Sequence, residues 1–167
     1  VDTESEYGIM AIENSIAGSI LPNYALIDEY NLSIIGEHSI NIDHNLMCLP
    51  NQNIKEIKEV HSHPMALLQC SKFFSNYPHI KLIESEDTAL YAKYIRDNEI
   101  RNVAAIASLE ASKIYTLQIL ETSIQTIKNN KTRFVILEKI KKNKPDFDKA
   151  ALKFILDHKR GSLATVL

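Results

Sequence analysis

The feature that most constrains this chain is a repeated switch, in which an apolar run of strand length stops at a polar residue and a helix starts at once. Glu59-Val60-His61-Ser62 leads directly into Pro64, which suits the first position of a helix. Lys81 to Glu84 is followed by Asp87, a cap for a helix expected from about Thr88 to Asn98. Val103 to Ala107 runs into Ser108, a cap for the next helix. Strands alternating with helices in this way are the pattern of an α/β domain. In such domains ligands gather where strand C-termini meet helix N-termini, because free backbone amides converge there.

Other segments extend the pattern. Tyr7 to Ile12 reads as a buried strand ending in the polar Glu13-Asn14-Ser15, after which Ser19 is a plausible cap with Pro22 in the first helical turn. Leu32 to Ile35 and Leu46 to Leu49 are short strand candidates, and Arg133 to Ile140 is a strand rich in β-favouring residues. The helix after Pro64 places Leu67, Cys70 and Phe74 on one stripe with Phe73 beside them, which predicts its buried face. Lys141 to Asp148 breaks the alternation and reads as a solvated linker. Beyond it, Ala151 to Leu156 reads as a strand, residues 157–161 as a turn, and Ser162 as the cap of a helix. These C-terminal elements are too few to bury a core alone.

Composition removes several function classes. Nineteen basic residues against twenty-one acidic ones give a net charge of −2, which offers no electrostatic footprint for nucleic acid. No apolar run approaches the ~18 residues of a membrane span, and Val1 to Glu6 shows no secretory signal. Two cysteines give no disulfide framework, so a cytoplasmic location is expected. The four glycines form no phosphate-cradling cluster. His61, His63 and Cys70 fit no standard zinc spacing; no metal is expected, and Cys70 reads as a core residue.

Five motifs then point in one direction. They are Glu13-Asn14-Ser15 followed by Gly18-Ser19; His63-Pro64-Met65-Ala66 running to Gln69-Cys70; Asp87-Thr88-Ala89; Ala104 to Ser108; and Asn130-Lys131-Thr132-Arg133-Phe134. Taken in this order over residues 7–137, the chain resembles the prephenate dehydratases. Gly161-Ser162-Leu163-Ala164 is similar to the turn at which ACT regulatory domains of such enzymes bind phenylalanine. Met65 stands where the family usually has Gln, and Ser162 where it usually has Ala. The family's Gly-rich opening motif and the second ACT effector motif are absent, so the resemblance implies a chain truncated at both ends.

The resemblance implies a two-lobed α/β catalytic domain like a type II periplasmic binding protein, with substrate in the cleft. Residues 1–140 would form it, with the second lobe at about 37–107. A linker over 141–149 and the start of a βαββαβ ACT domain over 150–167 would follow. It implies decarboxylative dehydration of prephenate to phenylpyruvate in phenylalanine biosynthesis, with no cofactor. It also implies inhibition by phenylalanine at Gly161, Ser162, Leu163 and Ala164, and a homodimer or homotetramer. Thr132 would donate to the departing hydroxyl, with water or a protonated Glu13 behind it. Arg133 offers a fork for a carboxylate, or else an ion pair with Glu13 or Asp87. Asn14, Ser15, Ser19, Gln69, Thr88, Ser108 and Phe134 complete the expected substrate site, while Ser and Thr among them could equally be caps. Arogenate dehydration and a non-catalytic anion-binding module are the alternatives.

Overall fold

The structure is a computed structural model; it describes residues 5–86, 88–139, 149–150, 152, 156 and 159–166. Its elements are β1 (Tyr7–Asn14), β2 (Gly18–Ser19), α1 (Leu21–Glu29), β3 (Ser33–Asn41), β4 (Asn45–Cys48), β5 (Glu59–Ser62) and α2 (Pro64–Phe74). They continue with β6 (Lys81–Glu84), α3 (Thr88–Asp97), β7 (Val103–Ala107), α4 (Leu109–Ile114), β8 (Gln118–Glu121), β9 (Lys131–Glu138) and α5 (Ser162–Val166). No helix among the described residues is long and apolar enough to cross a membrane.

Two sheets divide the molecule into lobes. The first is antiparallel, in the order β2-β1-β9-β3; the second is mixed, in the order β6-β5-β7-β4-β8. In the second sheet β5 runs parallel to β6 and β7, while β4 runs antiparallel to β7 and β8. The chain leaves the first sheet after β3, completes the second, and returns to lay β9 between β1 and β3. The two crossings are bonded to each other. The Ile42 amide donates to the Asn130 carbonyl and the Ile124 amide to the His44 carbonyl, both at 2.8 Å. The buried Gln125 side chain accepts from the His44 amide at 3.0 Å and donates to Asp43 at 2.8 Å.

Period-2 alternation gives the second sheet two packed faces. Leu46, Cys48, Val60, Ala104 and Ile106 pack with Leu67, Cys70 and Phe74 of α2, which is the stripe the sequence predicts. Met47, Ala105 and Ala107 meet Ala92 and Ile95 of α3 and Ala111 of α4 on the other face. Each fully buried aliphatic side chain contributes about 1.5–3 kcal/mol. α2, α3 and α4 all start at the C-terminal edge of β5, β6 and β7. Asn45 pairs with Ala107, so β4 enters the sheet from that same edge, straight out of the crossing at residues 42–44.

Several boundaries differ from the sequence reading, each for a backbone reason. β1 does not stop at Ile12 but continues to Asn14, because Glu13 and Asn14 pair with Arg133 and Thr132 of β9. Ser19 is no helix cap. Gly18, at φ +83°, reverses the chain so that Ser19 pairs with Glu13 and the Ile20 amide donates to the Ile12 carbonyl. Helix α1 then begins at Leu21 with Pro22 in its first turn. β3 runs on through Gly36 to Asn41, and a Cβ at Gly36 would meet Ile136 Cδ1 at 3.3 Å, so this glycine marks close packing and no break. β8 was not expected, and the second sheet spans Asn45 to Glu121 where the sequence suggested about 37–107. Asp87, the linker over 141–148 and most of the strand expected over 151–156 lie outside the described residues.

Candidate active site

β1 and β9 lie in antiparallel register, which sets Asn14 directly opposite Thr132. Facing pairs share one side of a sheet, so the two side chains meet. Asn14 Nδ2 donates to Thr132 Oγ1 at 3.0 Å and to Asn130 Oδ1 at 2.7 Å. Asn130, 2% exposed, donates through Nδ2 to Gln69 Oε1 at 3.0 Å. His44 Nε2 lies 2.9 Å from the same oxygen. A continuous polar chain therefore runs from the first sheet to α2 and the crossing segment, joining both lobes. Gln69 reaches it because its turn of α2 abuts the second crossing, where the Thr126 amide donates to the Gln69 carbonyl at 2.8 Å.

Of the residues singled out from sequence, Thr132, Asn14 and Gln69 come together here. Ser15 lies beside them and is occupied in shaping the turn, accepting from the Lys131 amide at 2.9 Å and donating to the Asn129 carbonyl at 3.3 Å. Arg133 and Glu13 are not brought to Thr132. Successive strand residues point to opposite faces, and this pair projects to the side that carries α1. There Arg133 binds Glu37 at 2.5 and 2.7 Å and lies 3.7 Å from Glu13. Phe134 returns to the Thr132 face and is half-buried. Ser19 is exposed in β2, and Thr88 and Ser108 open α3 and α4, with Ser108 Oγ accepting from the Ala111 amide at 3.2 Å. Gly161, at φ +90°, turns the chain into α5, where Ser162 Oγ donates to the Lys159 carbonyl at 2.9 Å; Leu163 and Ala164 are exposed.

His44 was not legible as a site residue. The only sequence signal for it is the polar triplet Asp43-His44-Asn45, set directly before the apolar run Leu46 to Leu49 with no glycine or proline to make it a turn. His61 and His63 have other occupations. His61 stacks on Tyr91 with ring centres 3.9 Å apart, and His63 Nδ1 accepts from the Met65 amide at the start of α2. A shallow groove of about 330 Å³ lined by Leu49, Pro50, Asn51, Glu99 and Arg101 lies at the opposite edge of the second sheet.

The electrostatics separate the site from its surroundings. Burial holds the His44 imidazole below its ordinary value of 6.5, against opposing effects of the Gln69 bond and Asp43. Hydrogen bonds from Lys149 and Arg133 hold the exposed Glu37 carboxyl below its usual range. Burial pushes Cys48 up to about 11 and Cys70 to about 12, so both thiols are unreactive core groups. A neutral polar chain ending on Thr132 can offer hydrogen-bond donors to an oxygen without placing a charge beside it.

The family model described as prephenate dehydratase matches residues 1–142. The chain belongs to the prephenate dehydratase family. A bifunctional chorismate mutase/prephenate dehydratase of Buchnera aphidicola subsp. Acyrthosiphon pisum is 38% identical over 99% of this chain and 44% of its own length. Arogenate dehydratase 1 of Petunia hybrida is 38% identical over 80% of this chain and 32% of its own. The solved prephenate dehydratase of Arthrobacter aurescens, in complex with L-Phe, shares the fold with a TM-score of 0.77 at 21% identity, over 97% of this chain and 55% of that one. The chain thus spans less than half the length of these curated relatives.

Proposed function

We propose that this chain is the greater part of the catalytic domain of a prephenate dehydratase, carrying out decarboxylative dehydration of prephenate. The observation that carries the reading is the Thr132 hydroxyl, set on a neutral polar chain where the two lobes join. In the reaction the bond to the ring carboxylate breaks and its electron pair enters the ring. The C–O bond to the ring hydroxyl breaks in turn, and a proton completes water. Carbon dioxide, water and phenylpyruvate result, and aromatisation supplies the driving force. The protein has mainly to hold the substrate and assist the departing hydroxide. Thr132 donates a hydrogen bond to that oxygen, and the proton is relayed through water from bulk solvent, since Glu13 is engaged on the other face of the sheet. Ser108 and Thr88, at the edge where β4 enters, are proposed to hold a carboxylate with the amides of their helix starts. Inhibition by phenylalanine at residues 161–164 and assembly as a homodimer or homotetramer belong to the same proposal for the full-length protein.

A second reading is arogenate dehydration, favoured by the similarity to the Petunia enzyme. Assay of the full-length protein with each substrate separates them, following phenylpyruvate by its ultraviolet absorbance and phenylalanine by chromatography. Turnover of prephenate well above that of arogenate is expected. Binding of either without turnover would instead indicate an anion-binding module.

A further inference from the structure

The direction of every hydrogen bond in the polar chain follows from two backbone amides. Ile16 and Ala17 both direct their N–H at Asn14 Oδ1, at 3.0 Å each. A backbone N–H can only donate, so this end of the Asn14 amide must be its oxygen. The other end is NH₂, and its two hydrogens go to Thr132 Oγ1 and Asn130 Oδ1. Asn130 having accepted with its oxygen, its nitrogen faces Gln69 and requires an acceptor there, so the Gln69 atom is Oε1. That oxygen cannot donate to His44, so His44 Nε2 must carry a hydrogen.

Two consequences follow. Thr132 Oγ1 has accepted a bond, and among the described residues no acceptor takes its own hydrogen. Accepting a bond polarises the hydroxyl and strengthens it as a donor. At the far end, the His44 backbone is held on both sides, its amide donating to Gln125 and its carbonyl accepting from the Ile124 amide, in a site only 8% exposed.

Resting on the dehydratase reading for the chemistry alone, we infer that His44 is a positioning residue. Its Nε2–H closes the far end of the chain: in the polarity that the Ile16 and Ala17 amides set, it gives the Gln69 oxygen a second donor and holds that side chain, and through it Asn130 and Asn14, in place behind Thr132. Without that donor the Gln69 oxygen keeps only its bond from Asn130, and the side chain that anchors Asn130 and Asn14 is less firmly held. His44 touches neither Thr132 nor the reacting atoms; it acts through the three amides.

The test uses the folded full-length protein in two arms. Leucine at position 44 removes the donor, whereas glutamine places an amide N–H close to where Nε2 stood. His44→Leu is expected to lower kcat by about 10–100-fold, the scale of a catalytic group slightly misplaced, with KM changed less than about twofold. His44→Gln should restore most of the loss. Wild-type kcat in the leucine variant overturns the inference. So does failure of glutamine to restore activity, because the ring's bulk and not its hydrogen would then matter. The second arm needs no activity: long-range ¹H–¹⁵N correlation on labelled wild-type protein at neutral pH should show His44 as the Nε2–H tautomer. An Nδ1–H tautomer overturns the chain's polarity outright, and this arm decides the matter if the leucine variant does not fold. Absence of prephenate turnover in the wild type would defeat the dehydratase reading while leaving the tautomer result standing.

Discussion

Burial decides how His44 responds to pH. Its imidazole is held below 6.5 in the folded protein, so near pH 6 the unfolded chain binds a proton there that the folded one does not. The stability this group contributes is complete above its ordinary value and is lost progressively as pH falls toward the lowered folded value. Melting the full-length protein between about pH 7.5 and about pH 5.5 should show a steeper fall in Tm for wild type than for His44→Gln. Parallel falls would mean that His44 does not titrate differently in the two states. At this scale the sequence gives a mixed return. Asn14 and Thr132 are legible because they sit in motifs, yet motif neighbours need not share a site. Glu13 and Arg133 adjoin them in sequence and project from the opposite face, where Arg133 finds Glu37, a partner that lies 96 residues away and has no sequence signal. His44 is hidden for the same reason, since its partner Gln69 lies 25 residues on, in helix α2.

Capping is the element-scale interaction that local sequence reports best. Ser108 is expected as a cap and does accept from the Ala111 amide, because the requirement is satisfied within four residues. Ser108→Ala should lower stability by about 1 kcal/mol, read as a shift in the denaturant midpoint, and Ser108→Asp should recover it. The pair also separates capping from substrate binding. An aspartate that restores the midpoint but raises KM shows a carboxylate repelled nearby; one that restores both leaves Ser108 as a cap alone. Elements fixed by distant pairing are less legible. β3 runs through Gly36 and the polar Glu37 to Asn41 because β9, nearly a hundred residues later, supplies the partner for each of them. β8 is four residues at the sheet edge, too short to show a period, and exists because β4 offers it a ladder. Ser19, by contrast, looked like a cap and lost that role to the hairpin made by Gly18.

The whole molecule is a first lobe interrupted by a second, and the polar chain lies where the interruption begins and ends. β1 supplies Asn14, the outward crossing His44, α2 Gln69, and the returning crossing Asn130, two residues before Thr132. The chain of bonds is complete only where Gln69 of the second lobe and His44 of the crossing meet Asn130. Substitution at Thr132 therefore reports on the complete arrangement, and valine is the informative replacement because it keeps the branched shape and removes the hydroxyl. The decisive measurement is kcat for prephenate in full-length protein carrying Val, Ser or Ala at position 132, each shown to be folded. Val and Ala should lower kcat by roughly 10²–10⁴-fold with little change in KM, while Ser, which keeps a donor, should retain far more. Wild-type kcat in Thr132→Val, or Ser no better than Ala, would show that the hydroxyl on this polar chain takes no part in the reaction.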